Sequence, residues 1–362
     1  MKTEIESLLN PYIKELNSKS AMKRRKDAIR LDKGELPYPP SPHVIEAISN
    51  AASEINRYPD ILGGVLREAL AEYNGVKTEE IVVGNGSDDL IELIVKVFVK
   101  QGEEVIVPIP TFFVYDFATK IVGGIPIWVK RNEDFSLNID AIKDKTTSKT
   151  KVLFIANPNN PTANLTPREI LIEILEQVDS IVVIDECYYE FSQETVVDLI
   201  EKYPNLIILR SLSKSFGLAG IRIGYTIANE VISDYLYRIS QLFPVNKMAI
   251  VAGKVALENK KYIDSNIHKI KQQKKELTKE LTKLGFTVYP SDTNFLFIGT
   301  KSLNITSKNI VKSLKEQNIL VADFGLKQGL DGYYLRTAIS KDKENQILLA
   351  GLKKTSQNFS NH

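Results

Sequence analysis

Cysteine and histidine are scarce in this chain. Cys187 is its one cysteine in 362 residues, which excludes an internal disulfide framework and any multi-cysteine zinc site. The three histidines, His43, His268 and His362, are widely separated, so a local histidine pair for a metal is not expected. A surplus of charge is missing too. Forty-seven Lys and Arg against 45 Asp and Glu leave a net charge of +2, without the basic footprint of a general nucleic-acid binder. No run approaches the ~20 apolar residues of a membrane span; the best, LIELIVKVFVK, is short and broken by charge. The opening MKTEIESLLNPYIKELNSKS carries charges throughout and lacks the apolar stretch of a secretory signal. The expectation is a soluble, cytoplasmic protein with neither nucleic acid nor membrane among its partners.

What is present is a globular composition, 43% hydrophobic and 25% charged, in a chain long enough for about two domains at ~150 residues each. Residues 1–39 read as a polar N-terminal arm belonging to the small domain. It closes on LPYPPSPHV, where four prolines within six positions favour an extended crossing segment. Residues 40–285 alternate apolar runs with helical spacing. The strand candidates are EIVVGN, EEVIVPIP, GIPIWVK, KVLFIANP, SIVVIDE, NLIILRS and IRIGYTIA. Runs that are continuously apolar predict strands covered on both faces, as in an α/β fold with a mostly parallel sheet between helices. Ile263, Ile267, Ile270, Leu277 and Leu281 recur at helical spacing among lysines, which predicts a long amphipathic helix with a solvated face. Residues 286–362 read as a smaller α+β domain, with the tail KKTSQNFSNH expected to fray.

Three stretches point to chemistry. GNGSDD follows the run IVV and opens the helical pattern LIELIVKVF. Glycines ahead of a helix N-terminus form a phosphate cradle from free N–H groups and the helix dipole, although a turn capped by Ser87 or Asp88 is the simpler reading. SIVVIDECYY is a strand ending in Asp185 and Glu186; open α/β sheets bind ligands at strand C-termini, but either acid also suits a turn cap. Cys187 reads as a small buried residue. In SLSKSFGLAGIRIGY, Lys214 lies among Ser211, Ser213 and Ser215, with Arg222 eight residues on. Small and apolar flanks favour a lysine held at the crevice over a surface one. Desolvation or nearby cations would then lower its pKa from ~10.4 and free the amine for Schiff-base chemistry.

A phosphate cradle, a strand-end Asp and such a lysine are together what pyridoxal phosphate requires. The stretches RYPD, GNGSDDLIEL, PTFFVY, NPNNPT, VVIDECYYEF and RSLSKSFGLAGIRIGY stand in order along the chain. By these the sequence resembles the aspartate-aminotransferase-type pyridoxal-phosphate enzymes, and within them the histidinol-phosphate aminotransferase family, over about residues 10 to 350. The resemblance implies fold type I with a large cofactor domain, and transfer of an amino group between an amino acid or amino phosphate and a 2-oxo acid. It implies Lys214 as the Schiff-base lysine and proton shuttle, and Asp185 at the pyridine nitrogen. Asn160 and Tyr188 would bond the cofactor's phenolic oxygen, and Phe112 would stack on its ring. Gly86, Ser87, Asp88, Ser211, Ser213 and Arg222 would hold the phosphate. Tyr58 would reach the cofactor of a neighbouring subunit, which implies a homodimer with shared sites. Arg336 would clamp a substrate carboxylate or phosphate, with Tyr12, Glu35 and Asn160 on the substrate side.

The substrate half departs from the pattern. The family usually carries a second phosphate-binding arginine upstream of the Arg336 equivalent; that position falls here on Ala322. The segment usually read Asn-Glu-Asn-Pro-Tyr is Gly34-Glu35-Leu36-Pro37-Tyr38, and Ala163 stands where glycine is usual. A lost charge-assisted contact to a dianion is worth roughly 1.5–3 kcal/mol. Besides transamination, a second expectation is therefore a related enzyme of the same cofactor. It would decarboxylate, eliminate or cyclise an amino acid, one with a cationic side chain included, in a specialised biosynthetic pathway. A binding protein without catalysis conflicts with the retained Lys214, Asp185 and Arg222.

Overall fold

The computed structural model describes residues 2–14, 27–327 and 329–360. β1 (Ile29–Arg30) is followed by the seven strands of the large sheet: β2 (Ile81–Gly84), β3 (Glu104–Ile109), β4 (Ile125–Lys130), β5 (Thr150–Ala156), β6 (Ile181–Asp185), β7 (Leu206–Ser211) and β8 (Gly224–Ala228). Their order is β2-β8-β7-β6-β5-β3-β4. Every pairing is parallel except those of β8, which runs against both neighbours. Each of the seven apolar runs of the sequence is one of these strands.

Coverage on both faces is visible residue by residue. In β6, Val182 and Ile184 point into one buried cluster and Val183 into the other. In β5, Leu153 and Ile155 face the first cluster, and Val152, Phe154 and Ala156 the second. The helix Arg168–Gln177 closes the first face with Leu171, Ile174 and Leu175. The helix Ser87–Phe98 closes the second with Leu90, Ile91, Ile94 and Val95. Each such fully buried side chain contributes roughly 1.5–3 kcal/mol of transfer free energy. Because the parallel strands end on the same side, Asp185, Asn157 and Pro110 emerge at one edge of the sheet.

A 24-residue helix, Lys260–Lys283, leads away from that sheet, its apolar stripe Ile263, Ile267, Ile270, Leu277 and Leu281 buried. Beyond it lie β9 (Thr287–Val288), β10 (Phe295–Gly299), β11 (Ile319–Leu320), β12 (Ala322–Asp323) and β13 (Tyr334–Ala338). The order β12-β13-β10-β9 makes an antiparallel sheet, while β11 pairs in parallel with β1. The N-terminal segment is thus stitched into the C-terminal part of the chain. The tail corrects one expectation: it does not fray from Lys353, since a 19-residue helix runs from Asp342 to Ser360 and buries Leu348, Leu352 and Thr355. No helix among the described residues is long and apolar enough to cross a membrane.

Candidate active site

Asp185 is the last residue of β6, and its side chain is buried. Tyr115 donates its hydroxyl to Oδ2 at 2.5 Å, and the Cys187 N–H donates to Oδ1 at 3.0 Å. Burial pushes the carboxyl up, and these two donors, which favour its charged form, offset that only in part. Tyr115 is held by parallel stacking on Phe154, ring centres 4.7 Å apart. Tyr115 closes PTFFVY, but nothing in its spacing shows that a helix turn aims it at β6.

Glu186, the next residue, points the other way. Its carboxylate accepts from Arg210 at 2.7 Å, from Thr195 at 2.8 Å and from the Val196 N–H at 3.0 Å. The two adjacent acids therefore divide the work: Glu186 ties the following segment down, and Asp185 remains at the strand ends.

Lys214 lies in the turn after β7, half-buried, with Nζ donating to the Lys33 carbonyl at 3.2 Å. Desolvation, then the nearby Arg336 charge, lower its pKa to about 8. Its Nζ is 5.8 Å from the centre of the buried Tyr188 ring, and burial holds the Tyr188 phenol above its ordinary range.

The cradle forms where the sequence placed it, but without the expected cap. Gly86 is the N-cap of the helix Ser87–Phe98, and neither Ser87 nor Asp88 makes a side-chain cap bond. First-turn N–H groups left in this way suit an anion. A Cβ on Gly86 would collide with the Arg222 guanidinium, and one on Gly224 with the backbone of Gly86 and Ser87. Gly224 is therefore required by close approach of the backbone, and Gly86 by its φ of +85°. Arg222 sits over this helix end, Nη2 3.3 Å from Asp88. Ser211 receives the Ser213 N–H at 3.1 Å, and the buried Ser213 hydroxyl has no hydrogen-bond partner among the described residues. A helix N-terminus with an arginine over it, and an orphaned hydroxyl in the turn after β7, fit a phosphate group.

Arg336, in β13, is buried between aromatic faces. Its guanidinium carbon is 5.0 Å from the Phe295 ring centre and 5.3 Å from that of Phe324. Nη1 donates to Asn160 at 2.5 Å and Nη2 to the Asp32 carbonyl at 2.7 Å, while Nε is buried and unpartnered among the described residues. Ala322 of β12 stands directly opposite Arg336 in the ladder, so the two side chains share one face of the sheet. Lys327 lies 5.6 Å from the Phe324 ring centre. Phe112 is half-buried, edge-on to Tyr115 at 5.7 Å. Glu35 is exposed, and its charge favours the protonated form of Lys214.

Two sequence-nominated residues stand apart from this group. Tyr58 is 82% exposed and stacks on Phe243 at 4.5 Å. Tyr12 packs its ring on Gly123, whose Cβ would lie 2.5 Å from it. Gly123 precedes β4, at the end of the sheet opposite to Asp185. Within this chain, then, Tyr12 is not brought to the strand-end cluster, because the short helix Pro11–Ile13 docks at the far end of the helix Val114–Ile121.

The mostly parallel sheet with this strand-end cluster defines a fold type I pyridoxal-phosphate enzyme, and comparisons specify it further. Residues 26–352 match the family model "Aminotransferase class I and II". A histidinol-phosphate aminotransferase of Thermoanaerobacter sp. (strain X514) is 40% identical over 329 residues, 90% of this chain and 92% of the relative. The structure of a histidinol-phosphate aminotransferase from Sinorhizobium meliloti, in complex with pyridoxal-5'-phosphate, superposes with a TM-score of 0.89. It is 25% identical and covers 98% of each chain. An aromatic aminotransferase from Pyrococcus horikoshii OT3 gives 0.82 at 26% identity, covering 93% of this chain and 97% of that one. The chain belongs to the class I and II aminotransferases and is a pyridoxal-phosphate-dependent, histidinol-phosphate-aminotransferase-like enzyme. These relatives are named as aminotransferases, which favours transamination; an L-threonine-O-3-phosphate decarboxylase from Porphyromonas gingivalis has the same fold, with a TM-score of 0.79 at 27% identity, covering 92% of this chain and 99% of that one.

Proposed function

We propose that Lys214 carries the cofactor covalently and that the amine donor presents a single anionic group to Arg336. The observation that carries this reading is one half-buried lysine in the turn after β7, its amine lowered to about 8 by desolvation and by the nearby Arg336 charge. Pyridoxal phosphate supplies an aldehyde that takes up the amino group and a ring that draws electrons from the substrate carbon. The residues do the rest. Asp185, whose charged form Tyr115 and the Cys187 N–H favour, would face the ring nitrogen. Phe112 would offer an aromatic face, and Asn160 and Tyr188 would bond the phenolic oxygen. Gly86, Ser87, Asp88, Ser211, Ser213 and Arg222 would enclose the phosphate. Released from the cofactor, the Lys214 amine, lowered to about 8, would take a proton from the substrate α-carbon and return it.

Arg336 holds the substrate anion, which displaces the Asp32 carbonyl from Nη2. Ala322 adds no second cation opposite it, so a substrate dianion finds one guanidinium where two would grip it. Histidinol phosphate, named in the relatives, is the donor to test first, with a 2-oxo acid as acceptor and Glu35 at the mouth. Residues 40–285 would form the cofactor domain, with 1–39 and 286–362 closing over it in the cytoplasm. Exposed Tyr58, Ile61 and Leu242 lie together, Leu62 N–H bonding the Leu242 carbonyl at 3.3 Å. This apolar face supports a homodimer in which Tyr58 reaches the neighbouring subunit's cofactor phosphate. Tyr12 contributes to a substrate pocket only across such a dimer.

The test is a donor screen on the loaded enzyme, with histidinol phosphate beside aromatic, aliphatic and cationic amino acids, scored for 2-oxo product. Turnover of donors carrying one anionic group supports the reading; carbon dioxide release without oxo product would overturn it.

A further inference from the structure

Behind the cluster lies a buried polar layer that the chemistry above does not use. Glu190 belongs to the short helix Tyr189–Ser192, two residues after Tyr188. It is 8% exposed, and its Oε2 accepts the hydroxyl of Ser215 at 2.7 Å. Ser215 is completely buried and immediately follows Lys214. The other carboxyl oxygen faces the Tyr73 hydroxyl at 3.5 Å, and Tyr73 in turn meets Phe216 edge-on at 6.0 Å. The pair therefore joins three elements: the segment after β6, the Lys214 turn, and the helix Gly64–Asn74.

A buried carboxyl is costly unless its partners are well placed, and this one does not have a cation to itself. Arg210 is committed to Glu186, with Nε and Nη2 both on Oε2. Burial accordingly pushes the Glu190 carboxyl up, which Ser215 and the more distant Arg210 charge offset only in part. The turn itself closes by the Leu218 N–H on the Leu212 carbonyl at 3.2 Å and by Ser213 N–H on Ser211. Neither bond fixes the C-terminal neighbour of Lys214. The Ser215 hydroxyl does.

We propose that Glu190 is a positioning residue for Lys214, acting through Ser215 to hold the turn that presents the amine at the strand ends. Glu190 touches neither substrate nor cofactor. The inference rests on the role assigned to Lys214 above. A displacement of order 1 Å at a reacting group costs up to ~100-fold in rate without a matching loss of binding.

The experiment uses the full-length, loaded enzyme as Ser215→Ala, Glu190→Leu, Glu190→Gln and the double variant Ser215→Ala/Glu190→Leu, with Lys214→Ala as reference. Ser215→Ala and Glu190→Leu are each expected to lower kcat by about 10-fold or more with KM within about twofold. They should also speed cofactor release on dilution. The double variant should be no worse than the poorer single one, because both remove one bond. Glu190→Gln should restore kcat, its amide oxygen accepting from Ser215. Multiplying losses in the double variant, or kcat unchanged in Ser215→Ala, would overturn the proposal. Should Glu190→Leu fail to fold, Ser215→Ala, lacking one oxygen atom, carries the test alone. If Lys214→Ala still yields a borohydride-fixed cofactor adduct, the role of Lys214 is what fails. If that adduct is lost while Ser215→Ala is normal, only Glu190 is misassigned.

Discussion

Replacing Arg336 by Gln removes one charge from a buried site and leaves a shorter, neutral side chain. Arg336 has three directions of donation. Nη1 is engaged by Asn160, Nη2 by the Asp32 carbonyl, and Nε by no described residue. A substrate carboxylate that takes Nη2 and Nε gains a bidentate, charge-assisted pair, and a glutamine amide replaces it with one neutral bond. A hydrogen bond to a charged group is worth about 1.5–3 kcal/mol, so KM for a carboxylate donor should rise roughly 10- to 100-fold. The same substitution acts on Lys214. Arg336 is the second cause, after desolvation, that lowers the Lys214 amine to about 8. Removing that charge makes the protonated amine less unfavourable, so its pKa should rise. Steady-state kinetics across pH 6.5 to 10 on about ten donor concentrations would show both effects: a higher KM, and an acid limb of the rate profile moved to higher pH. An unchanged KM, or a limb moved to lower pH, would refute the geometry given for Arg336.

Further consequences can be checked separately. Asp185→Ala strands the Tyr115 hydroxyl and the Cys187 N–H; cofactor should still bind, but turnover should fall at least about 100-fold, and near-normal kcat would be incompatible with its role. Ala322→Arg places a second guanidinium opposite Arg336; KM for a phosphate-bearing donor should fall about tenfold, with some thermal stability lost to like-charge repulsion. Lys274 donates to the Ser291 and Thr293 carbonyls and is lowered to about 8, chiefly by desolvation. Its folded pKa lies below the unfolded one, so stability should rise as pH increases from about 8 toward 10.5. Denaturant midpoints of Lys274→Met should show a weaker rise over that window.

Much of this arrangement was legible in the amino-acid order. Seven apolar runs became seven strands; in six of them residues buried on both faces leave no polar alternation to blur the run, whereas β4, at the sheet edge, is mostly exposed or half-buried. Asp185 and Lys214 could be nominated because strand C-termini in such sheets share one edge. The reversed direction of β8 was not legible, since IRIGYTIA is as apolar as its parallel neighbours. It follows from the 12-residue, helix-free return between Ser211 and Gly224, too little for the usual helical crossover of a parallel strand. Tyr115 and Glu190 escaped notice because their importance lies in partners 70 and 25 residues away. Ala163 is a different case. The glycine usual at its position is explained by its φ of 67°, a conformation that spacing alone does not reveal. The expected cap on Ser87 or Asp88 gave way because the helix begins at Ser87, which leaves Gly86, a residue without a side chain, at the N-cap.

The most direct measurement fixes the cofactor in place by borohydride reduction of the full-length enzyme, followed by peptide mass spectrometry. The expected result is one pyridoxal-phosphate adduct, on Lys214, lost in Lys214→Ala. An adduct on another lysine, or one that survives that substitution, would contradict the assignment on which the site rests.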